Sequence, residues 1–96
     1  MDRISVGELL RLDNPIIIDI RSTYSYNLGH IRGAVSVPYY NLLNNYSHYL
    51  SKYNRYYLYC DMGDQSLEIV LRLNSFGYDT ISIIGGYMEY LRYIDG

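Results

Sequence analysis

The stretch LYCDMGDQSLEIVLRLNSFGY, Leu58 to Tyr78, holds the only cysteine of the chain. Cys60 stands where an apolar run ends, followed by the short polar segment Asp61, Met62, Gly63, Asp64 and Gln65 and by a helical pattern from Ser66 onward. A thiol in that setting can be a nucleophile. The N–H groups of a tight loop and the N-terminal end of the next helix can converge on the sulfur and favour its anionic, reactive form. The same residue can also be a small hydrophobe closing a buried strand. Position alone leaves both readings open. One cysteine permits no internal disulfide, no CxxC redox pair and no cysteine-based zinc site. The two histidines, His30 and His48, are too few and too scattered to suggest a metal. No cofactor is implied.

The elements that must position Cys60 alternate along the chain. SVGE, Ser5 to Glu8, has the form of a capping box and predicts a short helix through Leu12, stopped by Asn14 and Pro15. IIID, Ile16 to Asp19, is a continuous apolar run rich in β-branched residues, as expected of a strand buried on both faces of a parallel sheet. AVSVP, Ala34 to Pro38, alternates like a second strand. Tyr40 to Leu50 carries Leu42, Leu43, Tyr46, Tyr49 and Leu50 at helical spacing, and predicts a helix or irregular helix. YYLYC, Tyr56 to Cys60, is a third strand. Ile69, Val70, Leu73 and Phe76 then repeat at intervals of three and four, with Gly77 placed for a left-handed C-cap, and predict a helix of about three turns. TISII, Thr80 to Ile84, is a fourth strand, Gly85 and Gly86 a turn, and YMEYLRYI a closing helix. Strands separated by helices imply an α/β fold: a parallel β-sheet flanked by helices on both faces, in a three-layer sandwich. Cys60 then lies at the carboxyl end of a central strand, where such sheets open their ligand crevice.

Composition narrows the function. The 96 residues fit one globular domain, residues 1–96, with no repeat, low-complexity tract or linker to divide it. Eight Lys and Arg against ten Asp and Glu give a net charge of -2 with no basic cluster, which argues against nucleic acid as a partner. The fourteen tyrosines lack the cationic groove that base stacking needs, and are read as half-buried packing residues. MDRISVGELL has no basic segment leading into a long apolar stretch, and no apolar run is long enough to span a bilayer, so no membrane is expected and the protein is expected in the cytoplasm.

Taken together in order, these stretches resemble the rhodanese-like domain family. IIDIRSTYSYNLGHIRGAVSVP, Ile17 to Pro38, is similar to its first signature, with an Asp-x-Arg at a strand end, a Tyr-containing helical turn and Gly-His-Ile-x-Gly-Ala. YLYCDMGDQS is similar to its active-site loop, and LNSFGYDTISIIGGY, Leu73 to Tyr87, to its C-terminal helix, strand and double glycine. The resemblance runs from near Ile16 to near Tyr90. It implies a single-domain sulfurtransferase in a rhodanese-like sandwich, in which Cys60 takes sulfane sulfur from a persulfide, polysulfide or thiosulfate donor, holds it as a persulfide, and passes it to a thiol or cyanide acceptor, small molecule or protein. The substrate would be held by the loop residues Asp61, Met62, Gly63, Asp64, Gln65 and Ser66, and by Arg21.

The chain departs from the family where charge matters. Many members carry a basic residue just after the cysteine and an arginine at the sixth loop position, where this chain has Asp61 and Gln65, and Asp64 adds a second carboxylate. A helix terminus stabilises a nearby anion by about 0.3–1 kcal/mol. Two like charges ~7 Å apart repel by about 0.6 kcal/mol in water and about 2.4 at an effective dielectric of 20. The effects are comparable, so the directions in which Asp61 and Asp64 point decide how the loop treats an anionic donor. Arg21 is read first as an ion-pair partner of Asp19 and second as an anion ligand. His30 is read as a turn-holding residue, Ser66 as a helix cap ahead of a loop contact, and Gly63 as a special backbone conformation. Two further readings stand beside the enzyme: a non-enzymatic rhodanese-like module that binds a partner or carries a persulfide, and a cysteine phosphatase or arsenate reductase. The latter is weakened because a loop arginine is missing at both candidate positions, Gln65 and Ser66.

Overall fold

The computed structural model describes all 96 residues. In chain order the elements are β1 (Arg3–Ile4), α1 (Val6–Leu9), β2 (Ile16–Asp19), α2 (Thr23–Leu28), β3 (Val35–Ser36), α3 (Tyr39–Asn44), α4 (Tyr46–Tyr49), β4 (Arg55–Tyr59), α5 (Asp64–Ser75), β5 (Asp79–Ile83) and α6 (Gly86–Asp95). The five strands form one sheet in the order β1-β5-β4-β2-β3, and every neighbouring pair is parallel. β4 is central, in register with β2 from Ile16↔Tyr56 to Asp19↔Tyr59 and with β5 from Arg55↔Asp79 to Leu58↔Ser82.

The period-two alternation of strand side chains sorts the core into two layers. Tyr56, Leu58 and Cys60 face one side of the sheet, where they pack with Leu42 of α3 and with Ile69, Val70 and Leu73 of α5. Tyr57 and Tyr59 face the other side, among Val6 and Leu9 of α1 and Ile81 and Ile83 of β5, with Tyr87 and Tyr90 of α6 packed against them. Helices therefore cover both faces, as the sequence predicts. No helix is long and apolar enough to cross a membrane.

Several boundaries differ from the sequence reading. β1 is an additional strand; its two residues are too few to show a period, and it is held at the sheet edge by the N–H groups of Ser82 and Ile84, which donate to Asp2 and Ile4 carbonyls at 2.8 Å each. The capping box at Ser5 and Glu8 is formed, but α1 ends at Leu9 rather than Leu12. Only Val35 and Ser36 of the stretch Ala34 to Pro38 pair with the sheet. The helix expected over Tyr40 to Leu50 is split into α3 and α4 by Asn45, whose backbone leaves the helical region at φ -141°. α5 starts at Asp64, two residues before the expected Ser66, because Gly63 at φ 99° turns the chain directly into it. It closes before Gly77, which is left-handed at φ 95° as anticipated.

Candidate active site

Cys60 is the first residue beyond β4, and its side chain is 2 % exposed at the carboxyl edge of the sheet. The backbone then reverses so tightly that two N–H groups aim at the sulfur: Gly63 donates to Sγ at 3.1 Å and Ser66 at 3.3 Å. Ser66 does not cap α5, as the sequence suggested. The N-cap is Gly63, which has no side chain, while Ser66 is fully buried one turn in. From there its Oγ reaches Cys60 Sγ at 3.5 Å, the Gly63 carbonyl at 3.3 Å and Ser82 Oγ of β5 at 2.7 Å. The expected loop from Cys60 to Gln65 is thus shorter, since Asp64 and Gln65 belong to the first helical turn.

What holds this backbone is α6. The N–H of Tyr87 donates to the Cys60 carbonyl at 2.9 Å and the N–H of Met88 to the Asp61 carbonyl at 3.0 Å, so the unpaired donors of a helix N-terminus fix the first two peptide groups of the loop. The approach requires glycine. A Cβ on Gly86 would stand 2.4 Å from the Cys60 carbonyl oxygen, at a backbone φ of +61°, and one on Gly63 would stand 2.8 Å from the Gly85 nitrogen. The sequence reading assigned the double glycine only to a turn. Its role in the site is a contact between segments distant in the chain, which spacing does not carry.

The two carboxylates part company. Asp61 turns away toward Arg21, with Oδ1 3.7 Å from Nη1, and keeps 69 % of its side chain exposed. Asp64 is exposed as well, yet its Oδ1 lies 3.8 Å from Cys60 Sγ. The sulfur therefore sits between two backbone donors and one carboxylate. Met62 and Gln65 project outward, and Gln65 lines a hollow of about 410 Å³ beside the loop together with Arg21, Ser22, Tyr39, Tyr40 and Asp61. A slightly larger hollow, about 450 Å³, lies between α1 and α6 and contains none of the predicted site residues.

Arg21 is occupied by structure. Its Nε lies 3.1 Å from each Asp19 carboxylate oxygen and its Nη2 2.6 Å from Oδ2, while Nη2 also donates to the Gly29 carbonyl at 2.7 Å. The guanidinium lies over the Tyr87 ring at 4.1 Å from its centroid. Burial pulls the Arg21 pKa down, and the hydrogen bonds and charge of Asp19 outweigh it, so the net direction is up. Asp19, completely buried, also accepts from Tyr59 Oη at 2.6 Å, and Tyr59 Oη in turn accepts from the Ile31 N–H at 3.0 Å. Burial first, then the bond to Asp19, pushes the Tyr59 phenol well above its ordinary range. Tyr59 was not singled out from the sequence, where it reads as one strand tyrosine among several. His30 has its Nδ1 2.9 Å from the Tyr26 carbonyl and its ring stacked on Tyr26, away from the sulfur.

The known proteins that the chain resembles share one family and one fold. The family model for the rhodanese-like domain matches residues 5–93, and the chain belongs to that family. Among curated proteins it is 29 % identical over 99 residues to the adenylyltransferase and sulfurtransferase uba4 of Ogataea parapolymorpha, covering 98 % of this chain but spanning only 24 % of that protein. Among solved structures it superposes on a rhodanese-like domain protein from Staphylococcus aureus with a TM-score of 0.82 and 26 % identity, covering 94 % of this chain and 91 % of the other. The human single-domain sulfurtransferase TSTD1 shares the fold, with a TM-score of 0.82, 23 % identity and 96 % of both chains covered.

Three outcomes follow from the site's scaffold. Gly86→Ala forces a Cβ into the Cys60 carbonyl at a left-handed position, and is expected to destabilise the protein by about 2–3 kcal/mol in urea unfolding. Tyr59 keeps its proton in the folded state at pH values where an unfolded tyrosine, with a pKa near ~10, loses it. The unfolded state then binds fewer protons, so this contribution to stability is complete below pH ~10 and is lost as pH rises beyond it. Unfolding midpoints measured from pH 8 to 11 (~0.5-unit steps) should fall less steeply in Tyr59→Phe than in wild type. At neutral pH the same variant should be weaker by about 1–3 kcal/mol, since the Ile31 N–H loses its acceptor and Asp19 a donor.

Proposed function

We propose that this protein is a sulfurtransferase in which Cys60 carries sulfane sulfur as a persulfide. The observation that carries the reading is the convergence of the Gly63 and Ser66 N–H groups on Sγ at the end of the central strand. Donors at these distances stabilise negative charge on a thiolate and, one bond further out, on a persulfide. Membership of the rhodanese-like family, and the sulfurtransferase named in the uba4 relative, support the same chemistry.

In the first step the Cys60 thiolate attacks the donor's sulfane sulfur, the bond joining that sulfur to the rest of the donor breaks, and the leaving group departs with the electron pair. In the second, an acceptor thiolate or cyanide attacks the outer sulfur of the Cys60 persulfide and the thiolate is regenerated. No oxidant or cofactor enters either step. With no second cysteine to resolve the persulfide within the chain, discharge goes to an external acceptor. Residues 1–96 act as one domain, and the reducing cytoplasm, where a lone thiol persists, is the compartment that suits it.

A second reading, a module that binds a partner or stores a persulfide without turning it over, is favoured by the near-complete burial of Cys60 and by the carboxylate beside it. Intact-mass measurement after exposure to an organic persulfide, polysulfide or thiosulfate tests both. The protein should gain one sulfur atom, lose it to cyanide or excess thiol, and turn over repeatedly when donor and acceptor are both present; Cys60→Ser should gain none. Loading without turnover supports the storage module, and no loading from any of the three donors sinks the carrier reading.

A further inference from the structure

We propose that Asp64 is the residue that selects the sulfur donor, turning Cys60 toward organic persulfides and away from thiosulfate. The inference rests on the sulfur-transfer reading above and names the substrate class of that site. The structure separates two carboxylates that look equivalent in sequence. Both carboxylates are exposed, but Asp61 is drawn to Arg21. Asp64 Oδ1, in contrast, lies 3.8 Å from Sγ, too close for solvent and salt to screen as they do a distant charge.

No cation forms an ion pair with Asp64. Arg21 is the only basic residue lining the hollow beside the loop, and its guanidinium is committed to Asp19, the Gly29 carbonyl and Asp61. Gln65 and Ser66, the next side chains along, are neutral.

Thiosulfate brings both of its negative charges close to the reacting centre, one on the transferred sulfur and one on sulfonate oxygens two bonds away. Attack by the Cys60 thiolate on the outer sulfur breaks the bond to the sulfonate and releases sulfite, so charge accumulates beside Asp64 throughout the step. An organic persulfide reacts as neutral R–S–SH: the same attack breaks its S–S bond, leaves the terminal sulfur and its proton on Cys60, and releases R–S⁻ outward. Cys60 is recessed, so the donor's terminal sulfur must come to the floor of the loop and cannot avoid the carboxylate. Asp64 thus penalises the dianion and leaves the neutral persulfide nearly untouched.

The experiment is steady-state sulfur transfer by the full chain, wild type, Asp64→Asn and Asp61→Asn, with thiosulfate and with the persulfide of N-acetylcysteine methyl ester, which has no charged tail. Asp64→Asn should raise kcat/KM for thiosulfate at least ten-fold, about 1.4 kcal/mol, and change the persulfide value less than three-fold. The thiosulfate gain in Asp61→Asn should be at least three-fold smaller. Equal effects of Asp64→Asn on both donors, or a larger effect from Asp61→Asn, overturn the proposal.

A second readout needs no sulfur transfer. Iodoacetamide and iodoacetate are close in size and differ in charge, and their ratio of alkylation rates at Cys60, relative to a free thiol, should be at least five-fold greater in wild type and should collapse in Asp64→Asn. A wild-type ratio equal to that of the free thiol overturns the proposal even where the variant does not fold. Failure of every donor to load Cys60 would instead remove the sulfur-transfer reading, while the alkylation ratio would still report on Asp64. Normal loading with unchanged ratios would remove only the selection by Asp64.

Discussion

The site depends on the N-terminus of α6 being driven into the backbone that follows Cys60. The N–H groups of Tyr87 and Met88 hold the carbonyls of Cys60 and Asp61, and the chain can come that close only because Gly86 has no side chain. With those two peptide groups fixed, Gly63 turns left-handed and the next N–H groups face the sulfur. The arrangement uses one set of unpaired helix donors to orient another set of backbone donors. The backbone donors that face the sulfur are therefore braced from both ends, by β4 before them and by α5 and α6 around them.

A second constraint fixes the neighbouring strand. Asp19 and Arg21 sit at the end of β2, and both are buried, a placement that costs several kcal/mol per ion unless nearly every polar atom finds a partner. The partners are present: Tyr59 Oη and the Arg21 backbone N–H donate to Asp19, and the Gly29 carbonyl accepts from Arg21. Tyr59 ties this pair to β4 and, through the Ile31 N–H, to the segment after α2. The pair thus joins the two central strands just below the level of the sulfur. One consequence is specific: the one arginine that lines the hollow beside the loop is hydrogen-bonded to the scaffold.

Much of this was legible in the chain. β2, β4 and β5 announce themselves as short apolar runs, because strands buried on both faces of a parallel sheet have no polar side to interrupt them. The capping box at Ser5 and the apolar stripe of α5 are local signals with a local cause, and they appear as written. The position of Cys60 at a strand end follows from the same pattern, as does the ion pair of Arg21 with Asp19 two residues away.

Other features depend on residues far apart in sequence. β1 exists only because β5, about eighty residues later, offers an edge. Ser66 has the composition of a cap, yet tertiary packing places it inside the helix, between the sulfur and Ser82 of another strand. The double glycine reads as a turn until α6 is seen against the loop. Above all, the sequence by itself determined that two carboxylates flank the cysteine, while the tertiary structure alone decided their directions. Arg21, brought beside the loop by β2, draws Asp61 to itself, whereas the first turn of α5, started early by Gly63, brings one oxygen of the exposed Asp64 within 3.8 Å of the sulfur. A side chain's direction at a loop is set by whichever partner the fold brings within reach, and adjacency in the chain does not encode that.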